Sequence, residues 1–571
     1  MLVQLSNIKK EIGVKKLFEN VSFQLEEFEK CALIGRNGIG KTTIAGIIEG
    51  KDKEYIGELN IRKGIKIIVT KQEFIGNESL TPLDYILDSV PMYRELEGKI
   101  KGYESNPTHD LNEIQLYSDS INEWHNMSYS EIADDIGLKF HKLGMTLDQL
   151  LSPISKLSGG QKRFVELLRV EYAKADLAIL DEPTNHLDIY AKANFLVWMR
   201  EYKNALLIIS HDRDVLHEVD RILELTTDEI KVFKGNYEKY LKINSINIVS
   251  EVHEHEVDLK QIEQYRKQMI VAREMKLSAH SDGARTSAKI REMKYKKLYD
   301  DARTNLNDPE FWIDKESVGN LDKKMKEKYA EFKSREIRFR LFEMDRRTDI
   351  NIYDLIKIKD LSIGYSKPLF KGLNVRLDGG KKLQIKGRNG EGKTTFLNFV
   401  INLHKLGIVD LVHENTGIKY FDGIVEFDKN VRIGVYEQEL KSHPSDKLDV
   451  FSLSLSDVIF KLYTDARIPI NKQKVNLILS NYLFDPIIDG DTKYINLSGG
   501  QKSRIQFIKM MINNPNLIIL DEPTNHLDLP SIEELENMLS EYKGAVIYVS
   551  HDSYFAKNVG GEVISLTKMP H

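Results

Sequence analysis

Gly35-Arg36-Asn37-Gly38-Ile39-Gly40-Lys41-Thr42-Thr43 returns later in the chain as Gly387-Arg388-Asn389-Gly390-Glu391-Gly392-Lys393-Thr394-Thr395. Glycines at this spacing let successive backbone N–H groups face one anion. The lysine then reaches the terminal phosphates of a nucleotide, and the hydroxyl after it suits a magnesium ion. Those roles fall on Lys41 with Thr42, and on Lys393 with Thr394. One such loop is a weak signal, but this one belongs to a matched series. Leu157-Ser158-Gly159-Gly160-Gln161 recurs as Leu497-Ser498-Gly499-Gly500-Gln501, and Pro183 to Asp188 recur unchanged as Pro523 to Asp528. Ser210-His211-Asp212 recurs as Ser550-His551-Asp552, and all three pairs share one offset of 340 residues. The duplication predicts two homologous nucleotide-binding domains.

Working outward, each motif sits at the end of a short apolar run. Lys30 to Ile34 and Leu383 to Ile385 feed the glycine loops; Leu177 to Leu180 and Leu517 to Leu520 end in Asp-Glu-Pro; Ala205 to Ile209 and Ala545 to Val549 end in Ser-His-Asp. Continuous apolar runs separated by helix-length segments predict buried parallel strands, with ligands at the strand ends. The expected fold class is therefore α/β: two P-loop NTPase domains, 1–236 and 355–571, joined by a long α-helical hairpin linker at 237–354. Spacing differences place an inserted helical arm at about 83–140 in the first domain. They place a smaller insertion around Leu403 to Tyr420 in the second.

Within this frame the chemistry has named candidates. Asp181 and Asp521 end strands and would hold magnesium through its water shell. Glu182 and Glu522, the next residues, are placed to orient or deprotonate an attacking water. Gln72 and Gln438 follow strand-like runs and suit a magnesium or water contact, while His211 and His551 would meet the γ-phosphate. Ser158–Gln161 and Ser498–Gln501 open helices, a second kind of anion site. Each domain already has its own glycine loop, so these turns are expected to serve the opposite domain's nucleotide. The expected cofactors are ATP and Mg2+.

Composition narrows the class. Of 571 residues, 41% are hydrophobic and 30% charged, enough for two substantial cores. The single cysteine, Cys31, excludes an internal disulfide framework and a cysteine-based metal cluster. No run approaches a membrane span and no signal-peptide pattern opens the chain, so a soluble cytoplasmic protein is expected. Net charge is only −5, so nucleic-acid binding has to be read locally. Between Gln264 and Tyr299 ten basic residues (Arg266, Lys267, Arg273, Lys276, Arg285, Lys289, Arg291, Lys294, Lys296, Lys297) face three acids (Glu274, Asp282, Glu292). Basic side chains on both legs of a hairpin suit a phosphate backbone, although a solvated coiled-coil hairpin would carry similar runs. Ser281-Asp282-Gly283 marks the turn, with the tip at about 275–285. Thirty helical residues reach about 45 Å.

Taken together, these motifs identify the chain as a member of the ATP-binding cassette superfamily. That resemblance implies head-to-tail closure, with Gly35–Thr43 working against Ser498–Gln501 and Gly387–Thr395 against Ser158–Gln161. Cassettes of this kind stack adenine on an upstream aromatic; Tyr365 matches in the second half, whereas Gly13 stands there in the first. Tandem cassettes, an arm, a long basic linker and the repeated Pro-Thr-Asn-His-Leu-Asp resemble the ABC-F family. The resemblance implies an ATPase that works as a monomer through intramolecular cassette pairing and has no membrane partner. It would bind the E site of the bacterial 70S ribosome and 23S rRNA, reach P-site tRNA and the peptidyl-transferase centre through its linker, and leave on hydrolysis. Linker length and a small arm resemble the antibiotic-resistance members, which displace large-subunit drugs. The alternatives are a general translation factor relieving stalled ribosomes, and the soluble ATPase subunit of a transporter.

Overall fold

The apolar runs that end in motifs lie side by side as strands. A computed structural model describes residues 1–12, 15–70, 74, 76–185, 187–278, 282–304, 354–436, 452–482, 484, 486, 489–497, 499–525 and 527–566. These fall into two compact units, one built from both cassettes and the other from the helices between them.

The first cassette contains β1 (Val3–Ile12), β2 (Lys15–Leu25), β3 (Lys30–Gly35), β4 (Ile56–Ile61), β5 (Ile67–Thr70), β6 (Leu177–Asp181), β7 (Ala205–Ile209), β8 (Arg221–Leu225) and β9 (Ile230–Lys234). Its main sheet has the order β5-β6-β7-β3-β8-β9, parallel except for β9, which runs antiparallel to β8. Every residue of β6 and β7 is buried, which is why both read as unbroken apolar runs rather than alternating ones. A second sheet, β2-β1-β4, is antiparallel. Its Leu5, Ile8, Phe18 and Val21 share one core with Ile44 and Ile47 of the helix Lys41–Ile48, and with Leu177, Ile179 and Leu207 of the parallel sheet.

The second cassette repeats the plan with β10 (Ile356–Gly364), β11 (Pro368–Leu377), β12 (Lys382–Lys386), β13 (Lys419–Phe427), β14 (Ile433–Tyr436), β15 (Leu517–Asp521), β16 (Ala545–Val549) and β17 (Glu562–Ser565). The parallel sheet is β14-β15-β16-β12-β17 and the antiparallel one β11-β10-β13. Side chains along a strand alternate faces. Leu517 and Ile519 accordingly join the core under the antiparallel sheet, while Ile518 and Leu520 join a separate core with Phe507, Leu535 and Tyr548.

Where the first half is longer, four helices follow β5: Pro82–Leu87, Tyr93–Ser105, Leu111–Asn126 and Ile132–Lys142. Tyr103 stacks on Tyr117 at 4.4 Å and Tyr93 packs on Trp124 at 4.8 Å, holding the middle pair together. The extra residues of the second half include the short helix Val409–Thr416. Between the cassettes the helices Tyr237–Ser278 and Asp282–Thr304 pack on each other as a hairpin, with Ala272 and Ala288 buried. Among the described residues no helix is long and apolar enough to cross a membrane.

Candidate functional site

Each glycine loop turns into a helix through a left-handed glycine. Gly40 has φ 111°, and a Cβ there would stand 2.6 Å from the Phe18 ring; Gly392 has φ 95°. Neither helix, Lys41–Ile48 nor Lys393–Leu406, has a side-chain cap, so the first-turn N–H groups are left for an anion. The lysines fold over their own loops. Lys41 Nζ donates to Gly35 O at 2.7 Å and Arg36 O at 3.2 Å, and Lys393 Nζ to Gly387 O at 2.8 Å and Arg388 O at 3.1 Å. Burial holds both ammonium groups below the usual lysine value, against the pull of nearby carboxylates. Thr42 Oγ1 donates to Asp181 Oδ2 at 2.8 Å, and Thr394 bonds Asp521 in the same way. A hydroxyl beside a buried carboxylate at the loop's mouth is the donor set a hydrated divalent cation takes.

Glu182 and Glu522 each have φ 46°, a left-handed backbone that costs a non-glycine residue on the order of 1 kcal/mol. The turn is pinned by the glutamate's own N–H, which donates to Ile209 O at 2.8 Å in one cassette and to Val549 O at 2.9 Å in the other. It brings the carboxylates toward the Ser-His-Asp segments. Burial pushes Glu182 up to about 8 and Glu522 up to about 7. Burial also depresses the histidines, His211 to about 3 and His551 to about 4, so both rings are neutral near pH 7. Both histidines face the glutamate of their own cassette, His211 Nε2 at 3.8 Å from Glu182 Oε1 and His551 Nε2 at 3.1 Å from Glu522 Oε1, and each donates its backbone N–H to that carboxylate. His211 Nε2 also lies 2.8 Å from Lys41 Nζ.

The two cassettes meet through the end of the unchanged Pro-Thr-Asn-His-Leu-Asp block. Asp528 Oδ2 accepts the backbone N–H of Asn37 at 3.2 Å, and Asp188 Oδ2 accepts that of Asn389 at 3.0 Å. Each aspartate also caps its own following helix, at Ser531 N and Ala191 N. Burial works against the Asp528 carboxylate, but hydrogen bonds from Ser531 and Asn37 hold it below the usual range. Beside this reciprocal contact lies an unreciprocated one. The fully buried Arg213 of the first cassette pairs with Glu536 of the second at 2.9 Å, with Glu533 at 3.7 Å. A cleft of about 410 Å³ opens along the seam, and Lys41, Asp181, Glu182, His211, Glu522 and His551 line it.

The structure thus gathers residues of both halves at one place. Of the first glycine loop, Asn37, Gly38, Gly40, Lys41, Thr42 and Thr43 line this cleft; the second loop, Gly387–Thr395, touches the seam through Asn389 and through Arg388, which stacks on Tyr190 of the first cassette at 4.7 Å. Ser158 caps the helix Gly159–Tyr172 with a capping box to Gln161, and Gly499–Gln501 begin the matching helix Gly499–Met511. Ser158–Gln161 do not line the cleft. Tyr365 sits in the turn between β10 and β11, half exposed. Gln72, Gln438, Ser498 and Gly13 lie outside the described residues. Sequence reasoning missed Asp188 and Asp528 as links between the halves. The signal was available, because a six-residue block repeated without change asks for more than a turn.

Two glycine loops that open uncapped helices, two strand-end Asp-Glu pairs and two neutral histidines, joined across one seam, define a tandem-cassette P-loop ATPase. A family model described as ABC transporter matches residues 18–185 and 370–525, more than half of the chain, and the chain belongs to that family. It is 29% identical over 99% of its length to a probable ATP-binding protein of Escherichia coli O157:H7, YbiT, covering 96% of that protein. It is 26% identical over 97% of its length to the ribosome protection protein VmlR of Bacillus subtilis (strain 168), covering 84% of it. Among solved structures it resembles an RNase-L inhibitor in fold, with a TM-score of 0.52 at 15% identity, covering 98% of this chain and 87% of that one. The protein binds ATP and hydrolyses it.

Proposed function

We propose that the chain is an ABC-F ATPase that binds the bacterial 70S ribosome at its E site and protects it from large-subunit antibiotics. In this reading Lys41 and Lys393 hold the terminal phosphates, and Thr42 with Asp181 and Thr394 with Asp521 hold Mg2+, joined by Gln72 and Gln438. Mg2+ neutralises charge on the phosphates. Glu182 and Glu522 orient the attacking water and accept its proton, His211 and His551 contact the γ-phosphate, and Tyr365 packs on the second adenine. Closure brings Ser158–Gln161 and Ser498–Gln501 onto the opposite nucleotides. The reciprocal Asp528–Asn37 and Asp188–Asn389 bonds support this reading, because they already tie each glycine loop to the other cassette.

The observation that carries the ribosomal part is the surface of the hairpin. Arg266, Lys267, Arg273, Lys289, Arg291, Lys294, Lys296 and Lys297 are all exposed, and so are Ile270, Val271, Met275, Ile290 and Met293 among them. Positive charge interleaved with uncovered apolar side chains suits ribonucleoprotein, where phosphate contacts supply affinity and apolar groups pack on bases. The relative named for ribosome protection, which aligns along nearly the whole chain, supports the same reading. On the ribosome the hairpin would reach P-site tRNA and the peptidyl-transferase centre, with hydrolysis causing release.

Co-sedimentation tests it. A Glu182→Gln, Glu522→Gln variant should stay on 70S ribosomes with ATP and leave without it. Deleting Lys276–Arg285 should abolish protection from large-subunit drugs while ATP-dependent binding survives. Binding with no change in drug susceptibility for the full chain would favour a general factor for stalled ribosomes. Association with membranes in place of ribosomes would refute both.

A further inference from the structure

The two glycine loops are alike in backbone but differ at the residue before the Gly-Lys-Thr turn, which is Ile39 in one and Glu391 in the other. Both donate the same backbone bond, Ile39 N–H to Arg36 O at 3.3 Å and Glu391 N–H to Arg388 O at 3.2 Å. Ile39 then packs against the first cassette's core, with a methyl 3.3 Å from where a Cβ on Gly35 would stand. Glu391 turns its carboxylate into the equivalent space, where Oε2 lies 2.8 Å from a Cβ built on Gly387 and accepts the Arg388 backbone N–H. One amide dipole of the second loop is therefore already spent on a carboxylate, and a fixed negative charge stands against the loop. The same difference shows in what surrounds the lysines. Glu182, Asp528 and Asp181 pull on Lys41, whereas Glu522, Asp188, Asp521 and Glu391 pull on Lys393. The second site faces a phosphate chain with one acid more than the first.

We infer that Glu391 makes the second cassette's site the weaker nucleotide site, as a positioning residue that braces the loop and sets a charge against the incoming phosphates. The inference rests on the two glycine loops being the nucleotide sites and is independent of any ribosomal role. An added like charge at a partly buried loop is expected to weaken binding roughly tenfold, about 1.4 kcal/mol.

The test is titration calorimetry of the full chain with ADP and magnesium, which avoids turnover. Lys41→Ala and Lys393→Ala should each weaken one class of binding. If neither does, the loops are not the sites, and that is a failure of the site assignment rather than of Glu391. In the Lys41→Ala background, which leaves the second site, Glu391→Gln keeps an acceptor for Arg388 N–H and removes only the charge. It should tighten ADP about tenfold. Ile39→Glu in the Lys393→Ala background should weaken the first site by a similar factor. Tightening by Glu391→Gln, with or without tightening by Glu391→Ile, supports the inference. No change with Glu391→Gln overturns it, including the case in which Glu391→Ile tightens, since shape would then be responsible. A second site that binds ADP as tightly as the first overturns it as well.

Discussion

Arg213→Ala should cost the paired cassettes about 3 kcal/mol near neutral pH. The guanidinium is fully buried and the Glu536 carboxylate 1% exposed, and their 2.9 Å bond crosses the seam. Removing one partner of such a pair leaves a charge in low dielectric, typically about 3–5 kcal/mol. The low end applies because Asn558 Nδ2 still donates to Glu536 Oε2 at 2.7 Å. Burial raises the Glu536 pKa even with Arg213 in place, and loss of the cation would raise it further. A carboxyl whose folded pKa exceeds its unfolded value stabilises the fold while protonated and loses that contribution as pH rises through the folded value. The penalty of Arg213→Ala should therefore grow between pH 5 and pH 8. Urea titration checks this on the first transition, since a chain of several domains need not unfold in one step. A double-mutant cycle with Glu536→Gln should give a coupling of about 1.5–3 kcal/mol. A single-variant cost below about 0.5 kcal/mol, or a coupling indistinguishable from zero, would refute the reasoning.

Asp528→Ala removes a helix cap, about 1 kcal/mol, and the bond to Asn37 as well. Steady-state ATPase assays should show turnover falling more than that stability loss explains, whereas Asp528→Asn should keep part of the cap. Burial pushes the Cys31 thiol up to about 12, so iodoacetamide at pH 8 should leave the native chain unlabelled and label it once urea unfolds the first cassette. Mass spectrometry reads both states. Deprotonation of Glu182 and Glu522, at about 8 and 7 in this structure, predicts that turnover rises from pH 6 to pH 8, with His211 and His551 neutral throughout. A flat profile would mean that neither carboxylate is the limiting base.

The parallel sheets were legible because both faces are covered, so Leu177–Leu180 and Ala545–Val549 could afford no polar residue. The antiparallel sheets were not. β1 pairs with β2 and β4 through register shifts, and Asn7 has φ 50°, so the alternation that marks a half-buried strand is broken within ten residues. Asp181, Glu182 and His211 could be located from order along the chain because each sits where a strand stops, and Lys41 because it opens the helix that follows the glycine loop after β3. Asp188 and Asp528 stood out only through the unchanged repeat of their block; locally each is an ordinary helix cap, so nothing in the sequence told that they reach across the seam. Arg213 was also hidden: an arginine after Ser-His-Asp looks like surface until Glu536 arrives from the other cassette. The Ile39–Glu391 difference was visible throughout, and its meaning waited on where the carboxylate points.

The Arg213–Glu536 contact also bears on why both lobes travel on a single polypeptide. At the mirrored positions stand Ser553 and Leu196, so neither lobe carries both halves of the lock. Two copies of the first lobe would set each guanidinium against a leucine, and two copies of the second would bury acids with no counter-ion. Self-association of either lobe is thereby penalised, and the correct mate is the one that translation always supplies in equal number.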